Sequence, residues 1–209
     1  DYVKIVDDPG LIMDSQVMPP IRVVETIEPV RSVKSGENKW LYDLGQNIPG
    51  WWRVNVTGDE GTIIRIRGAE TLNDHRYPKN LEPGDSLSSY NQYHRETWTD
   101  YTLKGGNQET YEPRFFYTGF RYIEVSTNQP ESIQSLEVEG RVVHTDLERT
   151  GHFESSDTLF NRIYEASVWA QRGNLHGFPT DCPHREKGGY TGDGQVIAET
   201  SMHDFQMHA

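Results

Sequence analysis

Residues 136–170 read LEVEGRVVHTDLERTGHFESSDTLFNRIYEASVWA, and the periodicity of the chain changes inside them. Up to Val143 the period is two. Leu136, Val138 and Val142 share one face, and Glu137, Glu139 and Arg141 share the other, as in a half-buried β-strand. After Gly151 the period becomes helical. Leu159, Phe160, Ile163, Ala166 and Ala170 form an apolar stripe, Ser155-Ser156-Asp157 offers caps, and Gly173 stands where a C-terminal cap belongs. This switch divides the chain into a β part and a helical part.

Toward the N-terminus the β pattern continues. Trp52-Arg53-Val54-Asn55-Val56-Thr57 alternates strictly, Gly58-Asp59-Glu60-Gly61 is turn material, and Thr62 to Arg67 resumes with Ile64 and Ile66 on one face. A polar insert, Asn73 to Tyr93, shows no periodicity, and further strands are expected at Thr97 to Leu103, Tyr111 to Phe116 and Phe120 to Val125. Repeated short strands with Gly and Pro turns predict a β-sandwich or jelly roll over residues 39–147. Residues 1–38, broken by Pro9-Gly10 and Pro19-Pro20, form a lead-in with strand candidates at Ile21 to Glu25 and Val30 to Lys34. Residues 148–209 begin a helical domain, with Val196, Ile197, Thr200 and Phe205 recurring along a second helix from about Asp193. Asp1 is not an initiator and the last segment stops at Ala209 without a cap, so a piece of a longer protein is expected.

The totals narrow the function classes. A net charge of −12 argues against nucleic acid and anionic membranes, which demand clustered Lys and Arg. No apolar run is long enough to span a bilayer, and DYVKIVDDPG lacks the layout of a signal peptide. Cys182 is the single cysteine, which excludes an intrachain disulfide and leaves the compartment open. The sequon at Asn55-Val56-Thr57 carries little weight, because such triplets arise by chance. Five Trp, eleven Tyr and seven Phe can build a core and also supply sugar-facing platforms. Trp51 and Trp52 point to opposite faces of a strand, so at most one of them can serve as a platform.

Between the two helical stretches lies Phe178 to Gln195, FPTDCPHREKGGYTGDGQ. It packs Asp181, Glu186 and Asp193 into a Gly-rich loop with His184, Arg185 and Tyr190. If the carboxylates converge, like-charge repulsion raises at least one pKa, as a general acid near neutral pH requires. Glu186, at the centre, is the candidate acid. Asp181 and Asp193 would stay ionised and accept hydrogen bonds from sugar hydroxyls. Arg185 either pairs with one of them or faces solvent, and Tyr190 either walls a sugar ring or packs against the helices. His176, Cys182 and His184 make a weak zinc set, because a single cysteine has no second Cys/His pair beside it. Cys182 with His184 as a thiol nucleophile is weaker still, and a small hydrophobe anchoring the loop suits Cys182 better. The Gly-Gly-Tyr-Thr-Gly run lacks the Lys and spacing of a phosphate loop. No metal and no cofactor is expected.

Asp181-Cys182-Pro183-His184-Arg185-Glu186 followed by Gly189-Tyr190-Thr191-Gly192-Asp193 resembles the signature loop of bacterial α-L-rhamnosidases, glycoside hydrolase family 78. Tyr42 to Trp51, Gly68-Ala69-Glu70-Thr71-Leu72, and Pro113-Arg114-Phe115 through Gly119 to Val125 resemble the β-sandwich that precedes the family's catalytic barrel. The resemblance covers about residues 20–209 and implies a multi-domain β-then-α chain: the sandwich, then the first helices of an (α/α)6 barrel. It also implies inverting hydrolysis of terminal α-L-rhamnosides. Glu186 falls on the general acid, and Asp181 and Asp193 fall on carboxylates that hold the rhamnose. The family's base is a glutamate beyond Ala209, so this chain is expected to be inactive alone. Two positions depart from the pattern. Tyr190 stands where Trp is usual, and the loop has one residue fewer between Asp181 and Glu186. The partners implied are rhamnose-containing glycosides and polysaccharides. The alternatives are a non-catalytic carbohydrate-binding sandwich and a related barrel glycosidase of other specificity.

Overall fold

The computed structural model describes residues 4, 6–7, 10–12, 14–73, 79–88 and 98–207. Among them are eight strands in one antiparallel sheet, followed by two helices. The strands are β1 (Ile21–Ile27), β2 (Arg31–Lys34), β3 (Lys39–Thr57), β4 (Ile63–Ala69), β5 (Trp98–Thr102), β6 (Glu109–Tyr111), β7 (Thr118–Thr127) and β8 (Ser135–Thr145). Helix α1 is Thr158–Asn174 and α2 is Thr191–Asp204. The sheet runs β1-β8-β3-β7-β4-β5, with β2 and β6 added along β3.

β3 organises the sheet because it belongs to both of its halves. Its first residues pair with β2 and β7, and its last pair with β8 and β6. The handover follows a register shift between Asp43 and Ile48, where Gly45 turns with φ 75° and Asp43 Oδ1 accepts from its amide at 2.7 Å. At Gly50, φ is 138°, and a Cβ would stand 2.0 Å from the Arg141 carbonyl oxygen, so only glycine lets the two backbones pass. The sheet therefore curls until its halves face each other. Trp52, Val54, Val56, Val138 and Val142 from one half enclose a core with Ile64, Ile66, Phe120 and Val125 from the other. Trp52 is fully buried, and its indole N–H donates to Thr99 Oγ1 at 2.9 Å.

The polar insert is described at Asn73 and over residues 79–88; the rest of it, with Thr97, lies outside the described residues. Leu72 and Leu81 bury against Leu41 and Tyr122, covering the outer face of the β3–β7 pair. The strand expected at Tyr111 to Phe116 ends at Tyr111 instead. Pro113 brings no amide donor, and Phe115 turns left-handed at φ 58°, which breaks the extension. The lead-in strands join the sheet, β1 on β8 and β2 on β3.

Asp157 caps α1, accepting from the Leu159 amide at 2.8 Å. Gly173 is not the C-cap expected of it. The helix continues to Asn174, and Leu175 takes that place. The stripe of Leu159, Phe160 and Ile163 is also not the packed face, for those side chains are 57%, 56% and 56% exposed. The face that packs here is Tyr164, Val168 and Gln171, against Leu147, Leu175 and Phe205. Contact between the helices is polar: Asp204 accepts from Tyr164 Oη at 2.8 Å and from Gln171, whose Oε1 in turn accepts from Ser201.

Candidate active site

The loop from α1 to α2 folds as a closed turn. Beyond Leu175, the Thr180 amide donates back to the Asn174 carbonyl at 2.8 Å. The Asp181 amide then donates to the Gly188 carbonyl at 3.0 Å, while Asp181 Oδ1 accepts from the Gly188 amide at 2.9 Å. Residues 181–188 are thus cinched at their base, and Glu186 stands near the tip. Its amide donates to Cys182 Sγ at 3.2 Å, which accounts for the cysteine at that position. Lys187 follows in the left-handed region at φ 56°. Glu186 is left exposed, whereas Lys187 donates inward to the carbonyl of Tyr117.

The ion pair of Arg185 is with Glu186 rather than with Asp181 or Asp193, Nη2 to Oε1 at 2.5 Å, and both side chains remain exposed. Tyr190 does not pack between the helices; it is 51% exposed at the N-cap of α2. Its hydroxyl is held above the usual tyrosine pKa first by a hydrogen bond to Glu186 and then by that carboxylate's charge. Partial desolvation and the charges of Asp181 and Asp193 act in the same direction. Burial pushes Asp181 up. The Cys182 thiol and the backbone amides of Gly188 and Cys182 more than offset it, leaving Asp181 below the usual carboxylate range. Asp193 lies in the first turn of α2, where the helix dipole favours an anion.

Asp181 and Asp193 line a groove of about 560 Å³ between the helices, together with Thr180, Gln171, Val196 and Ile197. Glu186 is not in its wall. Of the weak zinc set, His176 stacks on Tyr117 with ring centroids 3.8 Å apart, and His184 faces Glu70. Among the described residues no three His, Cys, Asp or Glu side chains gather as a metal site. Trp51 and Trp52 do point oppositely. Trp52 is in the core, while Trp51 donates to Glu112 Oε1 at 2.8 Å and lines a larger cleft of about 1040 Å³ on the sandwich.

Residues 33–144 match the family model of the bacterial alpha-L-rhamnosidase concanavalin-like domain, and residues 148–209 match that of the bacterial alpha-L-rhamnosidase 6 hairpin glycosidase domain. The chain belongs to the bacterial α-L-rhamnosidase family. It is 34% identical over 198 residues to an alpha-L-rhamnosidase of Formosa agariphila and 37% identical over 193 residues to one of Streptomyces avermitilis. Those alignments take in 94% and 92% of this chain but 20% and 18% of the relatives, so the chain spans about a fifth of their length. The alpha-L-rhamnosidase structure from Dictyoglumus thermophilum superposes with a TM-score of 0.83 at 35% identity, over 97% of this chain and 22% of that one. The Streptomyces avermitilis enzyme complexed with L-rhamnose superposes at 0.80 and 35% identity, over 91% and 18%.

Three contacts that brace this rhamnosidase loop were not singled out from the sequence. Lys187 reaches Tyr117, Pro183 seats against Gly119, and His184 meets Glu70. One signal was available: an isolated glycine inside a strand, as at Gly119 in β7, marks the close approach of another segment.

Proposed function

We propose that this chain carries the acid side of an inverting α-L-rhamnosidase site. Glu186 protonates the glycosidic oxygen of a terminal α-L-rhamnoside as the bond to the sugar breaks. Asp181 and Asp193 accept hydrogen bonds from the rhamnose hydroxyls, Arg185 steadies Glu186, and Tyr190 borders the sugar. The general base is a carboxylate outside this chain, about 6.5–9.5 Å from Glu186, which activates the attacking water. The chain by itself is therefore inactive. One observation carries the reading: Asp181, from the loop, and Asp193, from the start of α2, line one groove, and Glu186 stands on the turn that Asp181 closes. Lowered Asp181 suits a hydroxyl acceptor that stays charged.

The test uses the full-length enzyme. Glu186→Gln keeps the shape of the side chain but has no proton to give, so turnover of a rhamnoside with a poor leaving group falls by roughly 10²–10⁴ while rhamnose still binds. Near-normal turnover of that substrate would refute the assignment.

A second reading is supported by the larger cleft, where Trp51 and the fully exposed Phe115 stand beside Arg114 and Glu112. Aromatic faces with fixed polar groups suit carbohydrate. In that reading the sandwich binds polysaccharide independently of Glu186. Polysaccharide retention that persists in Glu186→Gln and is lost in Trp51→Ala would establish it.

A further inference from the structure

The loop that carries Glu186 is held from the sandwich on two sides. On one, Lys187 donates to the Tyr117 carbonyl. On the other, His184 faces Glu70, the residue that follows β4. Glu70 Oε1 accepts from Asn47 Nδ2 at 2.8 Å, which orients the carboxylate, and Oε2 lies 3.5 Å from His184 Nδ1. The side chains of His184 and Glu70 are 22% and 20% exposed. His184 Nδ1 is closed to solvent and, among the described residues, makes no hydrogen bond, so the nearby carboxylate is what compensates its burial.

On the reading that Glu186 is the general acid, we propose that Glu70 is a positioning residue for it, acting through His184. His184 and Glu186 flank Arg185 in a turn cinched by Asp181 and Gly188, so a shift at His184 passes to Glu186 with little slack. Lys187 ties one flank of the turn and Pro183, packed on Gly119, the other. The Glu70 contact holds the stretch between them at His184 and thereby sets the direction of the acid. The sandwich is then part of the catalytic apparatus, not only its neighbour.

The experiment compares Glu70→Ala, Glu70→Gln, His184→Ala and the double variant Glu70→Ala/His184→Ala in the full-length enzyme. Each is assayed on a rhamnoside with a poor leaving group, which needs the acid, and on an activated aryl rhamnoside, which scarcely does. Glu70→Gln keeps an acceptor for Asn47 and removes only the charge facing His184. Misplacing an acid by about an ångström costs on the order of ten- to a hundredfold, so Glu70→Ala and His184→Ala lower kcat on the first substrate by that amount. The aryl substrate loses less than about threefold, KM changes little, and the double variant is no worse than either single one. Glu70→Gln shows the same selectivity, more weakly. Equal losses on both substrates, or additive losses in the double variant, would overturn the proposal, because a merely structural role predicts them. If Glu70→Ala does not fold, Glu70→Gln and His184→Ala decide. Glu186→Gln run alongside separates the two claims. If it is selective for the poor leaving group while Glu70 and His184 variants are not, this inference fails and the acid assignment stands; if it is not selective, both fail.

Discussion

Gly119 in β7 and Pro183 in the loop occupy one space: a Cβ built on Gly119 would stand 2.6 Å from Pro183 Cγ. The same Cβ would come within 3.2 Å of Glu70 Oε1. Gly119→Ala therefore lifts the loop off the sandwich. Overpacking of this kind costs about 1–3 kcal/mol, read as a lower denaturant midpoint. Amide exchange should quicken over residues 181–188 and stay unchanged in β4. An unaltered midpoint would mean that the loop rests elsewhere.

Two other glycines are predicted to move stability in opposite directions. At Gly50 the obstacle is backbone, the Arg141 carbonyl oxygen at 2.0 Å and the Val143 amide at 2.9 Å, and φ is unfavourable besides. Gly50→Ala should cost at least ~3 kcal/mol or prevent folding. Gly194 sits inside α2, and a methyl there would find nothing within 4 Å, so Gly194→Ala should gain up to about 1 kcal/mol of helix propensity. A urea midpoint that does not fall in Gly50→Ala, or one that falls in Gly194→Ala, would contradict the corresponding argument.

What the sequence showed locally and what it concealed divide along a physical line. The alternation of β8 was legible because one of its faces is buried, and the helix start at Thr158 because Asp157 is a cap whose chemistry is local. The stripe of Leu159, Phe160 and Ile163 was also real, but a periodic apolar face says that cover is favoured, not which element provides it. Here Tyr164, Val168 and Gln171 make the contacts, two of them through polar atoms that a hydrophobic count ignores. In the site, the carboxylates and glycines of residues 181–193 stood out by density alone. Glu70 and Tyr117 did not. Their contacts with the loop cross long stretches of sequence, and such contacts leave no periodic trace. Both lie in stretches that carried the family resemblance, where no role could be read for them.

The stereochemical prediction concerns the full-length enzyme. With Glu186 as acid and a base across the sugar, water attacks from the face opposite the leaving group in one displacement. The first product seen by NMR of the anomeric proton, before mutarotation, should have the anomeric configuration opposite to the substrate's. Initial retention would require a nucleophilic carboxylate about 5–5.5 Å away and a covalent intermediate, and the single-displacement scheme would be wrong.

The last prediction follows from His144, buried where β8, β1 and α1 meet. Its Nδ1 lies 2.7 Å from the Thr145 carbonyl, which can only accept, so that nitrogen carries the proton. Its Nε2 lies 3.1 Å from Arg172 Nε, which can only donate, so that nitrogen is bare. The neutral ring satisfies both partners, whereas an imidazolium would turn a second proton toward a guanidinium. Burial pushes its pKa down; the Thr145 bond opposes this, and the Arg172 charge adds to it. His176 is also pushed down, by burial first, then by the repulsion it would meet if both it and His144 were protonated, and by the Lys187 charge. A histidine lowered in the folded state takes up protons more readily when unfolded. Stability is then full above the unfolded value of about 6.5 and falls as pH drops below it, by at most about 1.4 kcal/mol per pH unit for each histidine. Other groups share the window from pH 7.5 to 5.5, so the part of the decline in urea midpoint that belongs to His144 is read by comparison with a variant. His144→Asn keeps a donor for Thr145 and cannot become charged. It should remove a substantial part of the decline while leaving the rest to His176 and the other groups, and a decline as steep in His144→Asn as in the wild type would show that this ring is not held neutral.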